Sequence, residues 1–327
     1  MTSRVNTLDW GQISRKITRQ YYPFSLLLLV VVIVINSYLQ ANFYKPAVLN
    51  GFFRTILPLV ILSAGQTVVI IGGGIDLSVG AIASLVNVII ASLMGVNATP
   101  GQVAVAILVG ITVGLLAGAV NGFCIAYLRF QPLVTTFATT SIFSGIALFI
   151  LPVPGGGVPD YLIENYSLHP LGIPLALWAI LVVFLMWLAL RLTSYGRYLN
   201  SVGGNAVAAF MSGVPVARVQ FSMYLISGFM AALCALALIL IAGTGDPLIG
   251  QGMTLNSIVA VVLGGTSMAG GVGGVAGSIM GAIIISLILN LISFANISNW
   301  WQTLTYGLIV MFALVGPGIV SQLRRRQ

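Results

Sequence analysis

Apolar runs alternate along the chain with short clusters of Gly, Pro, Asn or charged residues. They fall at about 23–41, 55–72, 78–95, 102–128, 133–152, 172–191, 219–243, 256–268, 275–294 and 302–321. A bilayer core of about 30 Å takes about 20 apolar residues of α-helix to cross, and every run but the eighth is near that length. The pattern predicts an all-α fold, a polytopic transmembrane helical protein of about ten spans. Transmembrane strands would instead alternate over about 10 residues. The leader over 1–22 is basic, with Arg4, Arg15, Lys16 and Arg19. The run behind it is too long for a signal-peptide core and has no clear cleavage site, so it is expected to remain as the first helix.

Composition closes off the other classes. Of 327 residues, 59% are hydrophobic and 6% charged, against roughly 25% charged in soluble domains. So few charges cannot clothe a water-exposed surface, and so apolar a chain is not disordered. The net charge of +8 is distributed by side. With the N-terminus inside and ten spans, Arg4, Arg15, Lys16, Arg19, Arg129, Arg191, Arg197, Arg218, Arg324, Arg325 and Arg326 fall inside, and only Lys45 and Arg54 outside. That is the positive-inside asymmetry. Both termini are predicted cytoplasmic, around a membrane domain over 23–321 that holds a cytoplasmic loop over 192–218 and is followed by a basic tail over 322–327. The basic charge reads as orientation and contact with anionic membrane lipid. Nucleic-acid binding would need base-reading or stacking groups on a basic face, and none is visible.

Two glycine registers predict helix packing. Gly110, Gly114, Gly118 and Gly122 line one face of the fourth span, and Gly273, Gly277 and Gly281 mark the start of the ninth; small residues at this spacing let backbones approach closely. The segment GGGIDLSVG over 72–80 interrupts two apolar runs with glycines and one acid. A carboxylate near membrane depth costs about 2.5–3.5 kcal/mol on insertion scales, so Asp76 needs compensation. Two readings stand together. Asp76 caps the third helix, or Gly73, Gly74, Asp76 and Ser78 form a broken-helix segment lining a polar pathway. GQGMTLNSIVA over 250–260 repeats the order Gly, apolar, polar, Leu, polar of this segment five spans later, the trace of a probable inverted repeat.

The cytoplasmic loop reads RLTSYGRYLNSVGGNAVAAFMSGVPVAR over 191–218. Asn205 is placed to cap a short helix that Gly213 and Pro215 close, with Ala206, Ala209, Phe210 and Gly213 on one face and Phe210 at its centre. This is either a connector lying on the headgroups or a knob that docks on a cytoplasmic partner.

Catalytic and cofactor motifs are missing. The chain has only two lysines, Lys16 and Lys45, neither in a GxxxxGK[ST] context, so it carries no ATPase motif. GGVGGVAG over 270–277 matches G-x-G-x-x-A but lacks the βαβ setting of a dinucleotide site. His169 has no ligand partners at metal spacing, and Cys124 and Cys234 lie in apolar runs that imply no disulfide framework. No catalytic residues, no metal and no cofactor of its own are expected. An intramembrane proton relay would need more ionisable residues than Asp76. Such a chain reads as one subunit of a complex driven by another.

GGGIDLSVGAIASL, Asn121-Gly122 followed by QPLVTTFATTSIFSG, YGRYLNSVGGNAVAAFMSGV and VVLGGTSMAGGVGGVAGSIMGA together resemble the signatures of the ribose-type sugar permeases of bacterial ATP-binding-cassette importers, over roughly residues 24–320. The resemblance implies a multi-pass subunit of the bacterial inner membrane that forms the translocation path for a monosaccharide. Its implied partners are a second permease copy or paralogue, a periplasmic sugar-binding protein and a cytoplasmic ATPase that holds ATP and Mg. It implies docking on that ATPase through Gly196, Arg197, Gly203, Gly204, Asn205, Ala208, Ala209 and Gly213, to which the patch adds Phe210. The chain departs from the family at Ala206, Val207, Phe210 and Met211 in the loop and at Val272 in the glycine-rich turn, which leaves pairing with a different permease open. Purine-nucleoside or branched-chain amino-acid permeases share the ten-span layout, and a membrane receptor or scaffold is the alternative outside transport.

Overall fold

The computed structural model describes residues 22–295 together with Trp301, Leu304, Gly307, Leu308 and Met311. The basic leader, most of the tenth run and the tail over 322–327 lie outside these residues. The described chain forms α1 (Tyr22–Leu39), α2 (Pro46–Ile71), α3 (Val79–Met94), α4 (Pro100–Ala126), α5 (Pro132–Ile150), α6 (Asp160–Tyr166), a 3-10 turn (Pro170–Gly172), α7 (Leu175–Leu192), α8 (Ser194–Gly204), α9 (Ala206–Met211), α10 (Val216–Ala242), α11 (Met253–Leu263) and α12 (Val275–Phe294).

Local chemistry sets several of the starts. Proline opens α2, α4 and α5, where its missing N–H costs nothing and its fixed φ suits the first turn. Ahead of α4, Thr99 and Gln102 form a reciprocal capping box, with the Thr99 N–H donating to Gln102 Oε1 at 2.8 Å.

Among the described residues six helices are long and apolar enough to cross a membrane: α2, α4, α5, α7, α10 and α12. The protein is therefore a polytopic helical membrane protein. The apolar part of α1, α3 and α11 are shorter. The eighth run, expected over 256–268, is helical only as α11, whose 11 residues reach about 16 Å at 1.5 Å per residue. Gly264 ends it early. Two short helices that the apolar pattern does not signal, α6 and α8, are half polar and lie between spans.

At the centre stands α2, every residue of which from Ile56 to Ile71 is buried. It runs antiparallel to α10, because Gly65 faces Met230 and Gly72 faces Met223, and α7, α11 and α12 also pack on it. The α4 glycines lie close to two helices. A Cβ on Gly110 would meet Ile90 of α3, on Gly114 Ala232 of α10, on Gly118 the Tyr224 carbonyl, and on Gly122 the Phe221 carbonyl. In the second register Gly277 crosses Gly264 and Gly281 crosses Ala260. Gly273 departs from the expectation: it precedes α12 in a turn and lies against Thr266, because that helix begins only at Val275.

Candidate functional site

After α2 the backbone leaves the helix at Gly72 and regains it at Val79. Asp76 sits inside this break, fully buried. Its Oδ1 accepts from the Ser78 N–H at 2.9 Å and from Ser78 Oγ at 2.6 Å, and its Oδ2 accepts from Ser227 Oγ of α10 at 2.8 Å. Asn121 Nδ2 of α4 donates to Ser78 Oγ at 2.8 Å, and Thr139 Oγ1 of α5 donates to Asn121 Oδ1 at 2.8 Å. Three carboxylate contacts answer the desolvation of a lone acid. Asp76 is not the cap of the third helix in the strict sense. Ser78 holds the N-cap position and makes no side-chain cap bond; the carboxylate lies two residues earlier and ties the break to α10. Carbonyls freed by the break are taken up from outside, Leu77 by Thr140 at 2.9 Å and Ile75 by Thr136 at 3.3 Å.

A second break mirrors the first. Between α10 and α11 the chain is non-helical over 243–252, and its counterpart residues are fixed by hydrogen bonds. The Gly80 N–H donates to Thr254 Oγ1 at 3.1 Å, and the Gly250 N–H donates to Ser84 Oγ at 2.9 Å. A Cβ on either glycine would strike the other's carbonyl. One constant offset pairs Gly73 with Gly243, Asp76 with Asp246, Gly80 with Gly250 and Ser84 with Thr254. Gly73 and Gly243 both leave their helices at positive φ, 83° and 69°, the region that favours glycine, and each Asp accepts from the N–H two residues on. The repeat is therefore present in a different register from the one the sequence reading chose. The true signature is G-x-x-D-x-x-x-G-x-x-x-[ST]-L, and GQGMTLN is not aligned with GGIDLS.

A cleft of about 620 Å³ opens between the early part of α2, the first turn of α11 and the late part of α12, lined by apolar residues such as Phe52, Ile56, Leu59, Met253 and Leu289 and by the polar Thr55, Asn256, Ser286, Asn290 and Ser293. Beside it Gln40 Nε2 donates to Asn290 Oδ1 at 2.8 Å. The sequence reading missed this lining, since isolated Ser and Asn residues in apolar runs give no one-dimensional signal. It also missed Gln66, Ser63 and the Tyr224 hydroxyl, whose buried polar atoms have no hydrogen-bond partner among the described residues.

The other end of the broken segment meets the 192–218 loop. The Gly271 N–H donates to the Ile71 carbonyl at 2.8 Å. A Cβ on Gly203 would fall on that same carbonyl, and a Cβ on Gly73 would lie 3.4 Å from the Gly203 Cα. The ends of α2 and α8 and the 264–274 turn are thus clasped by backbone contact. Asn205 caps α9, its Oδ1 accepting from the Ala208 N–H at 3.0 Å, and Arg197 donates to Ser194 Oγ at 2.8 Å. The patch on α9 differs from the expectation: Ala209 is buried, whereas Val207, Phe210 and Met211 are 71%, 68% and 81% exposed. The outward face is these three side chains. Gly196 is buried against Arg191, while Gly204 and Gly213 border open space.

On the far side, Arg54 stacks over the Tyr166 ring at 4.7 Å and donates to Ser167 Oγ at 3.0 Å, pinning α6 to α2. Burial pushes the Tyr166 phenol up to about 12, against the opposing pull of Arg54. Among the described residues no three of His, Cys, Asp and Glu come together as a metal site would require.

A family model described as branched-chain amino acid transport system / permease component matches residues 48–314. The ribose import permease protein RbsC of Escherichia coli (strain K12) is 31% identical over 299 residues, covering 89% of this chain and 92% of that protein. The protein of the same name from Bacillus subtilis (strain 168) is 33% identical over 298 residues, 90% of this chain and 91% of its own. The autoinducer 2 import system permease protein LsrD of Photorhabdus temperata is 32% identical over 268 residues, 79% of each. No solved structure matches the chain.

Proposed function

Because the chain belongs to the family of branched-chain amino acid transport system permease components, we propose that it is the membrane-spanning subunit of an ATP-binding-cassette importer for a monosaccharide or a similar small polyol. The observation that carries the sugar reading is the identity of about a third, sustained along nearly the whole chain, with relatives named for ribose import. A second reading, import of a branched-chain amino acid, is favoured by the description of the family model alone.

The chain itself binds no nucleotide in this reading; a separate ATPase hydrolyses ATP. Ten spans with both ends in the cytoplasm of a bacterial inner membrane fit the distribution of Lys and Arg. Under that topology α8 and α9 lie inside, and the apolar face of Val207, Phe210 and Met211 enters a groove of the ATPase. A second copy of the chain, or a paralogue, completes the path, and a periplasmic binding protein delivers the sugar. The clasp of Gly203 and Gly271 on Ile71 supports a route for coupling. Displacement of α8 by the ATPase would act directly on the α2 terminus, and through residues 72–78 on Asp76 and the crossing of the two breaks. Copurification of the native complex, with identification of its subunits and bound sugar, tests this reading; isolation of the chain without an ATPase would refute it.

A further inference from the structure

The two breaks are equivalent in position but not in state. In the first, helix resumes at once after Ser78, so residues 79–82 are the first turn of α3, and Ala81 and Ile82 are 7% and 0% exposed. In the second, helix resumes only at Met253, so the counterpart residues 249–252 are unwound by a full turn. Gln251 and Gly252, which correspond to Ala81 and Ile82, are exposed, and the space beside Gly252 is empty.

The depth of this turn gives the difference a meaning. Asp76 and the crossing lie beside Ser227, near the midpoint of the 27-residue α10, and therefore near the middle of the bilayer. Irregular backbone is tolerated at that depth only where it is buried in protein or lines water, because lipid cannot satisfy its N–H and C=O groups. The first break meets this condition over most of its length, with Gly73 exposed, Gly72, Gly74, Asp76 and Ser78 buried and hydroxyls of α5 on the carbonyls of Ile75 and Leu77. In the second most N–H groups are bonded within the protein, Gly250 to Ser84 Oγ and Gln251 to the Leu248 carbonyl, but the Gln251 side chain is exposed, and an amide at that depth needs water or another chain as its partner. Met253 and Asn256, directly after the exposed turn, also line the cleft between α2 and α12.

We propose that this cleft and the unwound turn are consecutive parts of one water-filled path, and that the Gln251 side chain is the group to which a neutral polyol hydrogen-bonds at the middle of the bilayer. The proposal rests on the permease reading and adds to it where in the chain the cargo is handled. A primary amide suits the task chemically. It offers two donors and an acceptor to hydroxyls that both give and take hydrogen bonds, and it carries no charge that would hold an ion. Binding along a path must be weak enough to release, which one neutral hydrogen bond is.

The test uses the assembled complex with its ATPase, in proteoliposomes, with Cys124→Ala removing the half-buried thiol and the fully buried Cys234 retained. Ser286→Cys in the cleft, Gln251→Cys in the turn and Ala81→Cys in the sealed break are each exposed to a charged methanethiosulfonate and to a lipophilic maleimide. ATPase copurification confirms assembly of every variant. The first two thiols are expected to react with the charged reagent and Ala81→Cys to resist it. Gln251→Ala should slow radiolabelled ribose uptake by roughly 3- to 10-fold, the effect of one neutral hydrogen bond, while Gln251→Asn retains more of the rate. A Gln251→Cys thiol that resists the charged reagent, or reacts only with the maleimide, overturns the proposal even where the wild type imports ribose. So does wild-type uptake in Gln251→Ala. Failure of the wild-type complex to import any sugar counts instead against the permease reading, and the labelling still decides whether the turn meets water.

Discussion

Replacing Asp76 should separate the hydrogen-bonding role of its carboxylate from its charge. In Asp76→Asn, the amide oxygen can keep both contacts from Ser78, and the amide nitrogen can donate to Ser227 Oγ, whose hydroxyl is free to turn. The geometry of the break then survives, and stability should fall by no more than about 1 kcal/mol, the scale of one altered hydrogen bond. In Asp76→Leu all three donors at 2.6–2.9 Å lose their acceptor. The Ser78 N–H cannot be redirected, and leaving it buried costs about 1–3 kcal/mol. The hydroxyls of Ser78 and Ser227 can turn elsewhere, at a cost of about 1 kcal/mol each. The total, roughly 3–5 kcal/mol, is a large part of the 5–15 kcal/mol that holds a typical domain together. Thermal unfolding of the purified complex, followed by size-exclusion chromatography, should therefore show Asp76→Asn close to wild type and Asp76→Leu strongly destabilised or unassembled. Wild-type stability in Asp76→Leu would refute the reasoning outright. Normal assembly of Asp76→Asn with loss of sugar uptake would assign the charge itself to transport.

Three further outcomes follow from the packing. Gly118→Leu should abolish assembly, because its Cβ would fall on the Tyr224 backbone carbonyl and overpacking costs about 1–3 kcal/mol or more; a folded, active variant would remove the seam. Phe210→Asp should lose the ATPase on copurification, since a buried interface aromatic commonly contributes about 2 kcal/mol or more; retention at wild-type yield would contradict docking through α9. Arg54→Ala should loosen α6 by about 1–2 kcal/mol through loss of the ring contact and the Ser167 bond, read as faster amide exchange over 160–167; unchanged exchange would show that α6 is held otherwise.

Much of the fold is legible in the sequence because the bilayer imposes length and polarity at once. The apolar runs locate every long helix among the described residues, and Asn205 announces its own helix start. What escaped depends on three dimensions. Gly273 continues a four-residue rhythm but stands in a turn, since only Val275 and its successors have helical neighbours. The patch on α9 was misassigned because Ala209 and Phe210 share an apolar character, while only the packing decides which of them turns inward. Residue character alone aligns GQGMTLN with GGIDLS, whereas the register of the repeat is set by Gly80 meeting Gly250, a contact that sequence order cannot reveal. Gln251 gave no signal at all. A single amide beside two glycines becomes notable only when its counterpart Ala81 is seen to be buried.

Cargo and drive, on which the permease reading rests, are both measured by one reconstitution. With the ATPase and the binding protein present, proteoliposomes containing this chain should accumulate a monosaccharide from a panel led by ribose only when ATP is supplied, and the same sugar should stimulate ATP hydrolysis. Accumulation of leucine but of no sugar, or sugar entry that needs neither ATP nor the ATPase, would contradict it.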